Sequence, residues 1–321
     1  SFQSGRDFSG CERAIGREQR MARYVTVSSI SFRGVSGSGE EKLKRARDSI
    51  PARIDDAATQ NPDIVVLPET FTGMGGGWLE SAEPPDGPTA TTIAKKAREH
   101  GAYITCPILE KRDGKIQNVI LFFDRKGELA ARYAKCFPTI GEMEDGVVPG
   151  EEAVVANTDI GKIGFLICFD LNFEELAEEY KETGAELVLF SSMFRGGFLL
   201  RTWSMRNRCY LASSTPRENS AIVSPLGRIL VESSDYERTI TRTINLDCAV
   251  LHLDYNHSKF KEIRKKYGPE IEIEVASPEA IFLMTSNHPD RSVDEIIDEF
   301  ALERLDEYFD RARRVRKENL E

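Results

Sequence analysis

The chain has 321 residues, of which 40% are hydrophobic and 30% are charged, and its formal net charge is −10. This length suits one large globular domain or two ordinary ones, with enough residues to bury a substantial core. The negative charge argues against a nucleic-acid or acidic-membrane partner, and no stretch of the sequence is apolar enough to be predicted as a membrane span.

Residues 1–20 lack the apolar segment of a signal peptide, and we interpret them as a leader or non-core arm. The cysteines show no CxxC spacing, which predicts reduced thiols in the cytoplasm rather than disulfides or a zinc site. They are Cys11, Cys106, Cys136, Cys168, Cys209 and Cys248. His252, Asp254 and His257 are interpreted as surface residues, so no metal site is predicted.

Strand and helix patterns alternate along the first half of the chain. The predicted strands cover residues 24–32, 63–67, 102–109, 117–124, 128–134 and 163–167. The predicted helices cover residues 40–60, 88–100 and 173–180. Pro51 is expected to kink or break the first helix, Gly101 to end the second and Asn172 to cap the third. Residues 70–78 and 136–150 are predicted to be loops.

The second half continues this alternation, which favours an α/β arrangement of layers around one core. The predicted strands cover residues 185–190, 210–214, 221–224, 228–232 and 239–246. A helix is predicted at 198–209. Residues 291–316 are predicted to form one long charged helix. It is either a solvated tail or, as its apolar stripe suggests at least as strongly, a contact with another copy of the chain.

Cys168 follows the apolar strand of residues 163–167 and precedes an acidic helix. It is therefore predicted to occupy a sharp strand-to-helix turn. Unpaired backbone N–H groups and the helix dipole favour a thiolate there. Taken alone, this stretch favours the simpler interpretation, a cysteine buried in the core.

A reactive side chain follows each of three predicted strands: Glu69 after IVVLP, Lys135 after AARYA and Cys168 after GFLI. A thiol, a carboxylate and an ammonium form a usable catalytic set. The thiol is the nucleophile, the carboxylate takes its proton, and the ammonium stabilises an oxyanion and lowers the pKa of the thiol.

Three segments carry these residues in order: VVLPETFTG, RYAKCFPTIGEMEDGVVPGEE and GKIGFLICFDLNFEEL. They resemble the three signatures of the nitrilase, or carbon–nitrogen hydrolase, superfamily. Further similarity in QN, AELVLFSS, RNRCYLASS and SPLGRIL extends it over residues 24–247. The resemblance implies a four-layer αββα sandwich, which we assign to residues 21–289, with a C-terminal helix at 290–321.

The same resemblance implies a Glu–Lys–Cys triad in which Glu69 is the general base, Lys135 its lysine partner and Cys168 the nucleophile. A second glutamate orients the lysine and the substrate in many members. Glu142 matches it best and Glu144 is the runner-up. No metal or organic cofactor is implied, and homo-oligomers built from dimers are common in the family.

Phe169, Met193, Phe194 and Arg195 follow strand ends at the same predicted edge. We predict that these four residues line the substrate pocket, although packing within loops would explain the pattern equally well.

The residues around the triad give conflicting indications of the reaction. Phe169-Asp170 after the cysteine resembles the amidase-like branches, whereas the seven-residue step from Lys135 to Glu142 and the Pro138-Thr139 pair resemble the nitrilase branch. We favour an amidase acting on a small aliphatic or ω-carboxylated amide, with a nitrilase as the alternative. A non-catalytic scaffold and a papain-like Cys–His hydrolase are weaker alternatives.

Overall fold

The computed structural model describes residues 22–73 and 78–320. The predicted leader at 1–20 and residues 74–77 of the glycine-rich loop lie outside the described residues. The described chain forms two compact units, one of residues 24–246 and one of residues 22–23 with 247–320. Our assignment of 21–289 and 290–321 as separate segments stays a prediction.

Two six-stranded sheets form the centre of the larger unit. The strands are β1 (Tyr24–Ile30), β2 (Ile64–Val66), β3 (Tyr103–Arg112), β4 (Lys115–Phe123), β5 (Leu129–Ala134), β6 (Val155–Thr158), β7 (Gly161–Ile167), β8 (Leu187–Ser191), β9 (Tyr210–Ser214), β10 (Ala221–Val223), β11 (Ile229–Glu232) and β12 (Thr239–Asn245). One sheet has the order β12-β1-β2-β3-β4-β5 and the other β11-β10-β9-β8-β7-β6.

The two sheets pack face to face. Phe122 of β4 meets Phe165 of β7 edge to face, with ring centroids 5.1 Å apart. The Ser29 hydroxyl of β1 donates to the Ser213 carbonyl of β9 at 2.5 Å. This buried hydroxyl between the sheets is therefore hydrogen-bonded, as its desolvation requires.

Four helices cover the outer faces of the two sheets in this unit: α1 (Gly39–Ala58), α2 (Pro88–His100), α4 (Glu174–Thr183) and α5 (Phe198–Asn207). A fifth, short helix, α3 (Ile140–Glu144), buries none of its own residues. The apolar faces of α1 and α2 share one buried cluster with β2, β3 and β4. Those of α4 and α5 share another with β7, β8 and β9. The predicted four-layer αββα sandwich is thus confirmed.

Several local predictions need correction. Helix α1 continues through Pro51 instead of breaking there, whereas Gly101 ends α2 in a left-handed conformation (φ 61°), as predicted. The predicted loop at 136–150 contains α3. Asn172 does not cap α4, because a 3₁₀ turn, Cys168–Asn172, comes first and Phe173 is the capping residue.

The smaller unit contains the strands β13 (Cys248–His252), β14 (Ile271–Ala276) and β15 (Ile281–Ser286) in the order β13-β15-β14. Its helices are α6 (Phe260–Tyr267), α7 (Val293–Glu299) and α8 (Leu305–Glu318). Our prediction of one C-terminal helix is therefore wrong, since α7 and α8 are separate helices. Helix α7 ends before Ala301, whose positive φ of 48° interrupts the helix. None of the described helices has the length and apolar content needed to cross a membrane.

Candidate active site

Three strand ends of the larger unit bring the predicted catalytic residues together. Glu69 lies just beyond β2, Lys135 directly follows β5 and Cys168 directly follows β7. Lys135 Nζ lies 3.0 Å from Glu69 Oε1. The side chains of Lys135 and Glu69 are only 1% and 4% exposed, so this ion pair is shielded from water.

A second carboxylate completes the surroundings of the lysine. Lys135 Nζ donates to Glu142 Oε2 at 2.8 Å, whereas Glu144 is exposed to solvent. Burial alone would lower the pKa of Lys135, but the nearby Glu69, Cys168 and Glu142 raise it above its ordinary range. Lys135 is therefore charged at neutral pH.

Helix α3 positions Glu142. The Thr139 side chain accepts a hydrogen bond from the Glu142 N–H at 3.2 Å, and the Thr139 N–H donates to Glu142 Oε2 at 2.7 Å. This reciprocal capping box fixes the carboxylate at the third position of the helix. Burial raises the pKa of Glu142, but Lys135 outweighs it, and the net shift is downward.

Cys168 sits at the turn that the sequence predicted, in a backbone conformation that is rare for a non-glycine residue. Its φ is +49°, and Thr70, directly after Glu69, has a φ of +37°. Such conformations cost about 1–3 kcal/mol each and cluster at functional sites. The Glu69 carboxylate and the Met193 backbone N–H are close enough to the thiol to shift its pKa.

Lys135 lowers the pKa of the Cys168 thiol, as expected, but the net shift of that pKa is upward. Burial and the nearby Glu69 carboxylate raise the pKa of Cys168 to about 12, although Lys135 and the Met193 N–H act in the opposite direction. Desolvation of the sulfur outweighs the single cation. The resting nucleophile is therefore a neutral thiol that needs a base.

Asn118 on β4 is part of the site, although the sequence analysis noted it only as a point of similarity. Its Nδ2 donates to Glu69 Oε1 at 2.8 Å and to Glu142 Oε1 at 2.9 Å. The Lys135 N–H also donates to the Asn118 carbonyl, so the two residues are neighbours across the β4–β5 hairpin. Counting residues outward from the predicted hairpin turn would not have indicated this contact, because a bulge shifts the register of the hairpin by one residue.

Asp170 is a second residue whose contacts the sequence did not reveal. Its Oδ2 accepts from the Tyr133 hydroxyl at 2.7 Å and from the Ile167 N–H at 2.9 Å, and its Oδ1 accepts from the Phe137 N–H at 2.8 Å. Tyr133 and Phe137 lie two residues before and two residues after Lys135, and Ile167 directly precedes Cys168. Asp170 therefore links the lysine segment to the cysteine turn.

The stability of the chain is expected to depend on the ionisation of Asp170. Burial raises the pKa of Asp170 to about 6, above its ordinary value of 3.8, despite three donors. Because the folded state then binds more protons than the unfolded state, this residue's contribution to the free energy of unfolding falls as pH rises from 4 to 6. The change is of the order of 3 kcal/mol.

Urea unfolding of the wild type and Asp170→Asn across this range measures the effect. The variant is less stable throughout, because its amide NH₂ opposes the donors, but the difference between the two proteins should shrink as pH rises. A constant difference would contradict the prediction.

The predicted pocket residues occupy different positions. Met193 reaches the site through its backbone, since its N–H donates to Glu69 Oε2 at 2.9 Å. The Phe169 ring packs edge to face on Phe173, and Phe194 packs on the core behind β8. Arg195 is half exposed and forms an ion pair with Glu218. A role for these four side chains in substrate binding stays a prediction.

Comparison with known proteins places this architecture in a family. The carbon-nitrogen hydrolase family model matches residues 26–250. The chain belongs to the carbon–nitrogen hydrolase family, as the three motifs predicted.

Individual relatives are similar over most of their length. Omega-amidase NIT2 of Xenopus tropicalis is 28% identical over 255 residues, which are 71% of this chain and 90% of the relative. Omega-amidase NIT2 of Homo sapiens is 26% identical over 241 residues, covering 66% and 83%.

Solved structures share the fold. Saccharomyces cerevisiae Nit3, a member of branch 10 of the nitrilase superfamily, superimposes with a TM-score of 0.61 at 21% identity, covering 77% of this chain and 95% of its own. An amidase from Nesterenkonia sp. gives a TM-score of 0.58 at 18% identity, covering 79% and 98%.

Proposed function

We propose that this protein hydrolyses the C–N bond of a small amide through a thioester on Cys168 and releases ammonia and a carboxylic acid. The observation that carries the proposal is the arrangement of Glu69, whose Oε1 is held by Lys135 while Oε2 lies on the Met193 N–H beside the thiol. A base, a cation and a nucleophile thus share one enclosed site.

In the first half of the reaction, Glu69 takes the Cys168 proton and the sulfur attacks the amide carbon. Charge then develops on the amide oxygen. Two of the three hydrogens of Lys135 are used by Glu69 and Glu142, which leaves one for this oxygen. The Phe169 N–H is the proposed second donor. One such donor contributes about 10²–10³-fold to the rate.

Glu69 then returns the proton to the leaving nitrogen, the C–N bond breaks and ammonia departs. Water attacks the thioester carbon while Glu69 takes its proton. The C–S bond breaks, the acid leaves, and the proton returns to sulfur. The high pKa of the thiol explains why a base is needed at the first step.

The acyl part of the substrate is proposed to be short, with a free carboxylate at its far end in the preferred case. The printed names of two relatives, omega-amidases, support this choice. We propose that Arg195, two residues beyond Met193, is the cation that binds the substrate carboxylate. The substrate carboxylate would then compete with Glu218 for the Arg195 guanidinium.

We further propose a cytoplasmic location and a homo-oligomeric assembly built from dimers. Cys106, Cys136 and Cys168 carry free thiols, which fits a reducing compartment. The exposed side chains of Phe309 and Val315 on α8 offer apolar surface for an oligomer contact.

Ammonia release tests the proposed reaction. The probes are the monoamide of a short dicarboxylic acid, the neutral amide of the same chain length and the matching nitriles. We expect release from amides, faster with the carboxylated one, and none from nitriles. Release from nitriles alone would replace the amidase proposal by the nitrilase alternative. No release from any probe, with no acyl adduct on Cys168 by intact mass, would favour the scaffold.

A further inference from the structure

Asn118 makes an unusual pair of contacts at the centre of the site. It is 1% exposed, and both hydrogens of its side-chain amide go to carboxylates, one to Glu69 Oε1 and one to Glu142 Oε1. Lys135 bridges the same two carboxylates from its own position. The charged Lys135 and the neutral Asn118 therefore each donate hydrogen bonds to both carboxylates.

The charges explain why the neutral donor matters. Two carboxylates and one ammonium leave this buried cluster with a net charge of −1 when both acids are ionised. A buried carboxylate pair with one counter-ion tends to take up a proton. The two amide hydrogens of Asn118 stabilise the ionised form of both acids without adding charge.

The other end of the same amide argues against a purely structural role. Among the described residues, no donor reaches the buried Asn118 Oδ1. An unused buried acceptor is unfavourable for folding. The side chain therefore satisfies the two carboxylates at the expense of its own carbonyl oxygen.

We propose that Asn118 is a positioning residue that holds the Glu69 and Glu142 carboxylates in place and occupies Glu69 Oε1, so that Oε2 is the oxygen that takes the Cys168 proton. Oε1 already accepts from Asn118 and Lys135, whereas Oε2 accepts from the Met193 N–H, which is close enough to the Cys168 thiol to lower its pKa. The inference deepens the proposed amidase mechanism and rests on it.

Asn118→Leu and Asn118→Asp test the inference. Leucine removes both hydrogen bonds, and aspartate adds a third carboxylate. We expect kcat of Asn118→Leu to fall about ten- to a hundredfold with KM little changed. The acidic limb of the pH–rate profile moves to higher pH in both variants, because the Asn118 hydrogen bond that lowers the pKa of Glu142 is lost, and it moves further in Asn118→Asp, where a third carboxylate is added.

Gln117→Glu is the matched control. It makes the same amide-to-acid change one residue away, where the side chain donates to the Pro149 carbonyl and accepts from Arg132 instead of touching the two acids. Its pH–rate profile should match the wild type.

Alkylation of Cys168 by iodoacetamide, followed by peptide mass, provides a readout that needs no substrate. The rate at neutral pH should fall in the Asn118 variants and not in Gln117→Glu. Slower alkylation without any turnover in the wild type would support the role of Asn118 while refuting the proposed amidase activity.

Circular dichroism and the unfolding temperature show which variants fold. If leucine or aspartate prevents folding, Asn118→Ser replaces them, since its small hydroxyl group keeps one donor. It should show a smaller shift in the same direction. Folded Asn118 variants with the pH–rate profile and alkylation rate of Gln117→Glu, or with a change in KM alone, would overturn the inference.

Discussion

Replacing Cys168 with alanine is expected to lower kcat for amide hydrolysis by about 10⁴-fold or more, because no other group can form the acyl intermediate. The substitution removes one half-buried sulfur and no charge. The free energy of unfolding should therefore change by about 1 kcal/mol or less. Ammonia release, urea unfolding and intact mass of the protein with substrate measure these effects.

Cys136→Ala is the control for this experiment. Cys136 is adjacent to Lys135, but its thiol contacts the Glu152 carbonyl at 3.4 Å, and burial raises its pKa to about 11. It should retain near-wild-type activity and still form the acyl adduct. If Cys168→Ala kept more than about a tenth of the wild-type kcat, or if the adduct mapped to Cys136, Cys168 would not be the nucleophile.

The strand ends show how far the sequence could predict the site. Short apolar runs ending in Glu69, Lys135 and Cys168 identified β2, β5 and β7, and the motif order identified the family. The local sequence pattern was sufficient for these three residues, because the strand that precedes each of them determines its position.

Residues that depend on tertiary contact were harder to predict. A bulge between Phe122 and Phe123 shifts the register of the β4–β5 hairpin by one residue, so simple counting from its turn does not pair Asn118 with Lys135. The pKa of Cys168 depends on how deeply the turn is buried, which a linear pattern does not encode. The three donors to Asp170 come from separate segments of the chain, so a linear pattern does not reveal them either.

The C-terminal helices illustrate a different limit. Val293, Ile296, Ile297 and Leu305 are buried, as the apolar stripe suggested. The apolar spacing continues past the end of α7 near Ala301, because apolar residues on both sides of that position pack into the same core of the smaller unit. Hydrophobic spacing alone therefore could not locate the end of α7.

Replacing Lys135 with methionine is expected to lower the free energy of unfolding at neutral pH by about 3–5 kcal/mol, the usual cost of removing one partner of a buried ion pair. Its ammonium is the counter-ion that Glu69 and Glu142 share at 3.0 and 2.8 Å. We also expect kcat to fall by about 10²–10³-fold or more, since the same group would stabilise the oxyanion.

The pH dependence distinguishes lost charge pairing from lost packing. Burial alone would raise the pKa of Glu142, but Lys135 lowers it and the net shift is downward. In the wild type, Glu142 therefore stabilises the folded state at pH values above its unfolded pKa, and this contribution is lost as pH falls. In Lys135→Met, Glu142 has lost this counter-ion and is stabilised by protonation instead. The difference in stability between the two proteins should therefore shrink at acidic pH.

Urea unfolding at neutral and acidic pH measures this, with Lys162→Met as the control. Lys162 is exposed, and its Nζ donates to the Thr183 carbonyl at 3.5 Å. Its loss should change the free energy of unfolding by about 0.5 kcal/mol or less. A Lys135→Met variant as stable as Lys162→Met at neutral pH would mean that Glu69 and Glu142 are not both ionised, and the proposed base would have to be reassigned.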